Sequence, residues 1–256
     1  MRLRVADQSI NLPKLIVVSW SAIALALCAN GLGVLAAETQ SGNRTFADWC
    51  RDRTSLSPEA KHTVEVLLEK AETTECDAAN QKLSSLTYLN LYNNQISNIE
   101  PLQSLNNLTV LYLKNNKISD IKPLQSLTNL IDINLRNNKI KDIKPLQSLT
   151  KLTFLDLGEN EISDIKPLQS LTHLTGISLD QNQISDIKLL QSLTNLIWLV
   201  LSENEISDIK PLQSLNNLRA IDLKNNKISD IKPLESLTNR FFRTYCAKIL
   251  RNSQKS

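Results

Sequence analysis

Between Leu86 and Asn239 the chain repeats a 22-residue unit seven times with no insertion or deletion. The copies begin at Leu86, Leu108, Leu130, Leu152, Leu174, Leu196 and Leu218, and the second reads LTVLYLKNNKISDIKPLQSLTN. A fixed period in this range decides the architecture before any finer argument. One such unit is too small to bury its own apolar side. Successive units must therefore stack, each touching only its neighbours.

The geometry of a unit follows from its residues. With positions numbered 1 to 22, apolar side chains hold positions 1, 4, 6, 11, 14, 17 and 20 in every copy. Positions 4 and 6 alternate with polar or variable residues, the spacing of a strand with one buried face. Position 9 is always Asn: Asn94, Asn116, Asn138, Asn160, Asn182, Asn204 and Asn226. An Asn side chain can bond turn backbone that no strand ladder satisfies, so stacked copies predict a hydrogen-bonded Asn column inside the coil. Position 16 is Pro except at Leu189, which predicts a return path of short turns and 3-10 pieces instead of a long helix.

LxxLxLxxNxI followed by xDIxPLxxL resembles the leucine-rich repeat of the short 22-residue class, which includes the internalins and a phosphatase-regulating subfamily. The resemblance, to the secreted bacterial type, implies an α/β repeat solenoid. It would be a right-handed arc with a concave parallel β-sheet, convex turns with short 3-10 segments and a helical N-terminal cap. It also implies that the concave side binds another macromolecule.

The flanks are read separately. Arg2, Arg4 and Lys14 precede an apolar run from Leu15 to Leu27, and small residues end it at Val34-Leu35-Ala36-Ala37. This is the order of a secretory signal over residues 1–36 cleaved after Ala36, with an uncleaved anchor as the alternative. Cys28 follows Leu27, where lipoproteins resemble one another in having a small residue, so lipid attachment is not expected. Residues 37–85 form a leader and cap. The leader, 38–45, is polar. Ser57-Pro58 starts a helix running to about Ala71, with Val64, Leu67, Leu68 and Ala71 on one face. Leu83 lies in the position-20 column, so the repeat phases in before Leu86. Cys50 and Cys76 flank the helix. In an exported cap they are expected to pair, the alternative being two buried free thiols. His62 and His173 are expected to be solvated, with no second Cys near either at ligand spacing, so no metal is implied. From Arg240 the repeat stops, and RFFRTYCAKILRNSQKS reads as a basic C-terminal cap or tail, with a membrane-surface segment as the alternative. Its Cys246 is an odd thiol able to bridge two chains.

Function is sought where the copies differ. Positions 12 to 22 scarcely change. Their Asp column (Asp120, Asp142, Asp164, Asp186, Asp208, Asp230) and Lys column two residues on are expected to neutralise one another on a solvated face. Positions 3, 5, 7, 8 and 10 change most, and alternation turns 3, 5 and 7 onto the concave face. All five aromatics of the repeats, Tyr88, Tyr92, Tyr112, Phe154 and Trp198, occupy those three positions. Exposed aromatics on a rigid surface are common anchors of protein contacts, although cross-strand packing would also use them.

Charge on this face is sorted as well. Lys114, Lys117, Arg136 and Lys139 come first, then Asp156, Glu159, Glu161, Asp180, Glu203 and Glu205, and copy seven returns to Arg219, Lys224 and Lys227 beside Asp222. Such sorting favours one partner orientation. Seven strands at ~4.8 Å span about 30 Å, which suits one modest protein partner.

A net charge of +3 with no basic stripe excludes a nucleic-acid footprint. No glycine-rich phosphate loop, metal cluster or nucleophile–His pair is present, so neither catalysis nor a cofactor is expected. The reading is an exported, monomeric protein-binding module. Its expected contacts are the five aromatics with Lys114, Arg136, Asp156, Glu159, Asp180 and Glu203. A non-catalytic envelope spacer is the alternative, and membrane contact is expected only through an uncleaved signal or the basic tail.

Overall fold

A computed structural model describes residues 44–237. The signal, the leader up to residue 43, the tail from Arg240 and its Cys246 lie outside the described residues.

Three helices build the cap. The first, α1 (Phe46–Arg51), begins directly after the expected leader. Thr45 and Asp48 form a capping box: the Asp48 amide donates to Thr45 Oγ1 at 3.3 Å, and the Thr45 amide donates to Asp48 Oδ2 at 2.9 Å. Two otherwise orphaned donors are thereby satisfied, enough to start a six-residue helix that periodicity cannot detect. The expected helix is α2 (Pro58–Ala71), capped by Ser57 and closed by Glu72 in a left-handed conformation (φ 53°). The third, α3 (Cys76–Ser85), carries Leu83 into the core of the first coil. Cys50 in α1 and Cys76 in α3 are joined by a disulfide.

The cap docks on the solenoid through α2. The expectation that His62 is solvated is corrected here: its ring is half-buried, with Nε2 2.7 Å from the Asn94 carbonyl. The next residue, Thr63, donates through Oγ1 to the Asn98 carbonyl at 2.6 Å. Both carbonyls belong to the first repeat, so these bonds tie the helix to the start of the solenoid.

The repeats form one seven-stranded parallel sheet in chain order: β1 (Tyr88–Asn90), β2 (Val110–Tyr112), β3 (Asp132–Asn134), β4 (Phe154–Asp156), β5 (Gly176–Ser178), β6 (Trp198–Val200) and β7 (Ala220–Asp222). Each residue pairs with its equivalent 22 positions on, as in Leu89 with Leu111 and Leu111 with Ile133. Position 4 faces the core, while positions 3 and 5 form the concave face. Short 3-10 segments such as Lys122–Ser126 return the chain, and one forms at Lys188–Ser192 even though Leu189 replaces proline. Stacked Leu and Ile fill the interior with scarcely any exposure.

The Asn column is present, but its side chains bond backbone groups and not one another's side chains. Asn160 Nδ2 donates to the carbonyls of Leu157 and Gly158 in its own coil and of Leu135 in the preceding one, each at 3.1 Å. Its Oδ1 accepts from the Ile140 amide at 3.0 Å. Position 8, just before it, has positive φ in every repeat: Asn93, Asn115, Asn137, Glu159, Gln181, Glu203 and Asn225. Asn tolerates this conformation best, so Glu159 and Glu203 stand there at some conformational cost.

The reading of the Asp column as charge neutralisation is also corrected. Asp120 Oδ1 accepts from the Lys122 backbone amide at 2.8 Å, and Asp142, Asp164, Asp186, Asp208 and Asp230 repeat the bond. These carboxylates satisfy the first amide of the 3-10 segments in repeats two to seven, and Asn98 does so in the first. Exposed His173 likewise has a local role: Nδ1 lies 3.0 Å from the Thr150 carbonyl, where Asn129 and Asn195 place a side-chain amide in their own repeats.

Candidate functional site

The concave face is a grid of side chains. Position 3 reads Tyr88, Val110, Asp132, Phe154, Gly176, Trp198 and Ala220 across the sheet. All five aromatics lie on this face. Tyr88 and Tyr92 are 50% and 49% exposed, whereas Tyr112, Phe154 and Trp198 are half-buried by neighbours. Tyr88 and Tyr112 meet edge to face with ring centres 5.7 Å apart. Phe154 and Trp198 stack at 5.6 Å, although a whole strand separates them.

Gly176, on the intervening strand, permits that stack. A Cβ there would meet Phe154 Cδ2 and Cε2 at 2.8 and 2.9 Å. The ring leans over the bare backbone to reach the indole, so the pair expected to contact a partner is also a contact across strands.

The basic and acidic bands interlock. Arg136 on the third repeat donates through Nε to Glu159 at 2.9 Å, and through Nη1 and Nη2 to Asp180 at 2.9 and 2.6 Å. Its Nη1 also lies 3.6 Å from Asp156. Gly158 leaves the space the guanidinium needs, since a Cβ there would collide with Arg136 Nη1. Asp180 is left only 7% exposed and accepts from Ser178 Oγ at 2.5 Å. Burial favours its neutral form, but the Arg136 and Ser178 hydrogen bonds outweigh this and hold the carboxyl below the ordinary range. Asp156 goes the other way, raised mainly by burial, with its bond from the Gly158 amide and the charge of Arg136 only partly compensating. Arg136 is held charged above all by its bonds to Asp180. Asp180 was expected to present charge outward, but it lies beneath the guanidinium. Lys114 is half-buried on the same face, and Glu203 is exposed.

Sequence reasoning missed three residues of this surface. Ile131 and Ile197 at position 2 are 43% and 42% exposed beside the aromatic row. The signal was available, because four other copies carry Thr there. Asp132 is the third. It is half-buried, and its Oδ2 accepts from the Tyr112 hydroxyl at 3.1 Å, while its Oδ1 is covered without a donor. Burial raises the Asp132 carboxyl and, with the bond to Asp132, raises the Tyr112 phenol.

Among the described residues, the convex side carries shallow grooves. One of about 530 Å³ beside Leu189 has an equivalent of about 660 Å³ two repeats earlier, with the same Asp, Lys, Gln and Ser lining. These two grooves recur with the repeat, while another of about 700 Å³ lies where Arg44 and Thr45 of the cap meet the first two repeats.

A model of two leucine-rich repeats matches residues 84–126, 106–148, 128–170, 150–193 and 194–236. The chain belongs to the leucine-rich repeat family, and the seven-stranded sheet with 3-10 returns is its solenoid arc. Within that family it is internalin-like. An internalin (inlF) of Listeria monocytogenes is similar at 36% identity and a TM-score of 0.60, over 61% of this chain and 46% of that one. Internalin C2 of the same species is similar at 32% identity and a TM-score of 0.56, over 69% of this chain and 89% of that one. A leucine-rich repeat protein of Leptospira interrogans gives 27% identity and a TM-score of 0.59, over 68% of this chain and 49% of that one. The chain thus spans about half the length of the first and third of these. A search of curated proteins by sequence finds no match. The repeats and these neighbours point to protein–protein interaction in general.

Proposed function

We propose that this chain is an exported, non-catalytic binding module that holds one protein partner on its concave face. Residues 1–36 serve as its signal, residues 37–85 as leader and cap, residues 86–239 as the binding solenoid and residues 240–256 as its closing segment. The observation that carries the reading is the concentration of aromatic surface. Tyr88 and Tyr92 stand in solvent, and the Phe154–Trp198 stack continues the row with Ile131 and Ile197 beside it. A soluble surface bears such a row at a cost in exposed apolar area, which burial against a partner would recover. The mixed charge around it gives orientation more than affinity. The Cys50–Cys76 disulfide is compatible with an oxidising compartment.

The test is a proximity-labelling capture in the native envelope, with the full chain as bait. The paired substitution Phe154→Ala and Trp198→Ala is expected to abolish labelling of the principal partner. Replacing convex Lys166 and Lys188 by Ala should leave it intact. Labelling that survives the aromatic substitutions would show that the solenoid acts as a spacer or binds elsewhere.

A further inference from the structure

The position-3 row contains one charge, and that charge has no counter-ion. Asp132 is flanked in register by Val110 and Phe154, and the other members of the row are Tyr88, Gly176, Trp198 and Ala220. A carboxylate can take about four hydrogen bonds. Asp132 receives one, from the Tyr112 hydroxyl, and its Oδ1 is covered with no donor. Among the described residues no Lys or Arg lies within ion-pair distance of it. The nearby cation of its own repeat, Arg136, is committed to Glu159, Asp180 and Asp156. The contrast is chemical. Three half- or fully buried acids of this face, Asp156, Glu159 and Asp180, share one guanidinium, and Asp132 has none. A half-desolvated carboxylate without a partner is unfavourable, as the upward shift of its pKa records.

We propose that the protein partner supplies the missing cation: a basic side chain, arginine by preference, that docks on Asp132 between Tyr112 and Phe154. This rests on the concave-face reading above and specifies the partner's chemistry there. With Oδ1 covered, access to the carboxyl is through Oδ2, where a donor would sit beside the Tyr112 hydroxyl. The flanking rings favour a guanidinium over an ammonium, because its plane can stack on an aromatic face and its hydration is weaker. The pairing would also set orientation. A single charge in an apolar row gives a partner one register that neutralises it and leaves the carboxylate desolvated and unpaired in all others.

The test uses a library of random peptides displayed on phage and panned on the immobilised full chain. Selected peptides are expected to carry an arginine among apolar residues and to lose binding on the Phe154→Ala, Trp198→Ala protein. A synthetic copy of the strongest peptide should bind Asp132→Asn at least tenfold more weakly. Replacing its arginine with citrulline should weaken binding to the wild type by a similar factor and scarcely change binding to Asp132→Asn. Asparagine keeps an acceptor for Tyr112, and an unchanged circular dichroism spectrum would confirm that the fold is intact. Peptides that need the aromatic pair but show no basic excess, or that bind Asp132→Asn as well as wild type, overturn this inference and leave the concave-face reading standing. Peptides indifferent to the aromatic pair, or no selected peptides at all, overturn both.

Discussion

Single residues in this chain gain their meaning from what stands 22 positions away. Asn160 illustrates it, because one side chain satisfies an amide and three carbonyls distributed over two coils. Replacing it with Ala leaves the Ile140 amide buried without a partner, while the Leu135 carbonyl keeps its bond from Asn138 Nδ2. At about 1–3 kcal/mol for a buried unsatisfied group, Asn160→Ala is expected to destabilise the fold by on the order of 2 kcal/mol, read as a lower urea midpoint. The existence of this column was legible, since Asn recurs at position 9 in every copy. The role of the Asp column was not. Asp and Lys two residues apart look like a charge pair, and only the 3-10 geometry shows the carboxylate turning to a backbone amide. His62 was misread for a related reason. Its partner is a carbonyl 32 residues on, in the first repeat.

At the scale of elements, three-residue strands are too short to hold a face rigid by themselves, and side chains that reach across strands do part of that work. Arg136 on the third repeat clasps groups of the fourth and fifth. Its removal leaves Asp180 desolvated and uncompensated. Arg136→Ala is expected to cost about 2 kcal/mol near neutral pH, below the 3–5 kcal/mol typical of fully buried pairs because the guanidinium is partly solvated. The pH dependence follows from the direction of the Asp180 shift. A carboxyl held below its unfolded value, ~3.9, stabilises the fold above that value and loses the contribution as pH falls through its lower folded value. Asp156, raised by burial, has the opposite sense: its contribution is present below ~3.9 and fades as pH rises through its folded value. The deficit of Arg136→Ala should therefore shrink toward about pH 3 as both acids take up protons. Urea midpoints of wild type and variant at the two pH values would check this. Position alternation told which face these residues share. It could not tell that Gly158 and Gly176 are openings into which Arg136 and Phe154 lean, because space is a property of packed neighbours.

For the whole molecule, stability is a sum of similar coils and the contacts between neighbours, so its weak points are its ends. The cap closes one of them through His62, Thr63 and the disulfide between α1 and α3. The closed loop spans 26 residues, worth about 3 kcal/mol on the chain-entropy model. Reduction with a thiol is expected to lower the melting temperature and to release amide-exchange protection first in α1, α3 and β1, while β4 and β5 stay protected. Uniform loss across all strands would contradict this picture. Exact periodicity also bears on how such a chain changes over generations. Because every register shift is a whole unit, unequal recombination can lengthen or shorten the array without breaking its ladders. The stack of Phe154 on Trp198 limits that freedom. A unit gained between the fourth and sixth copies would part the two rings by one more strand spacing, ~4.8 Å, and dissolve the patch, so inheritable growth is tolerated best near the ends of the array.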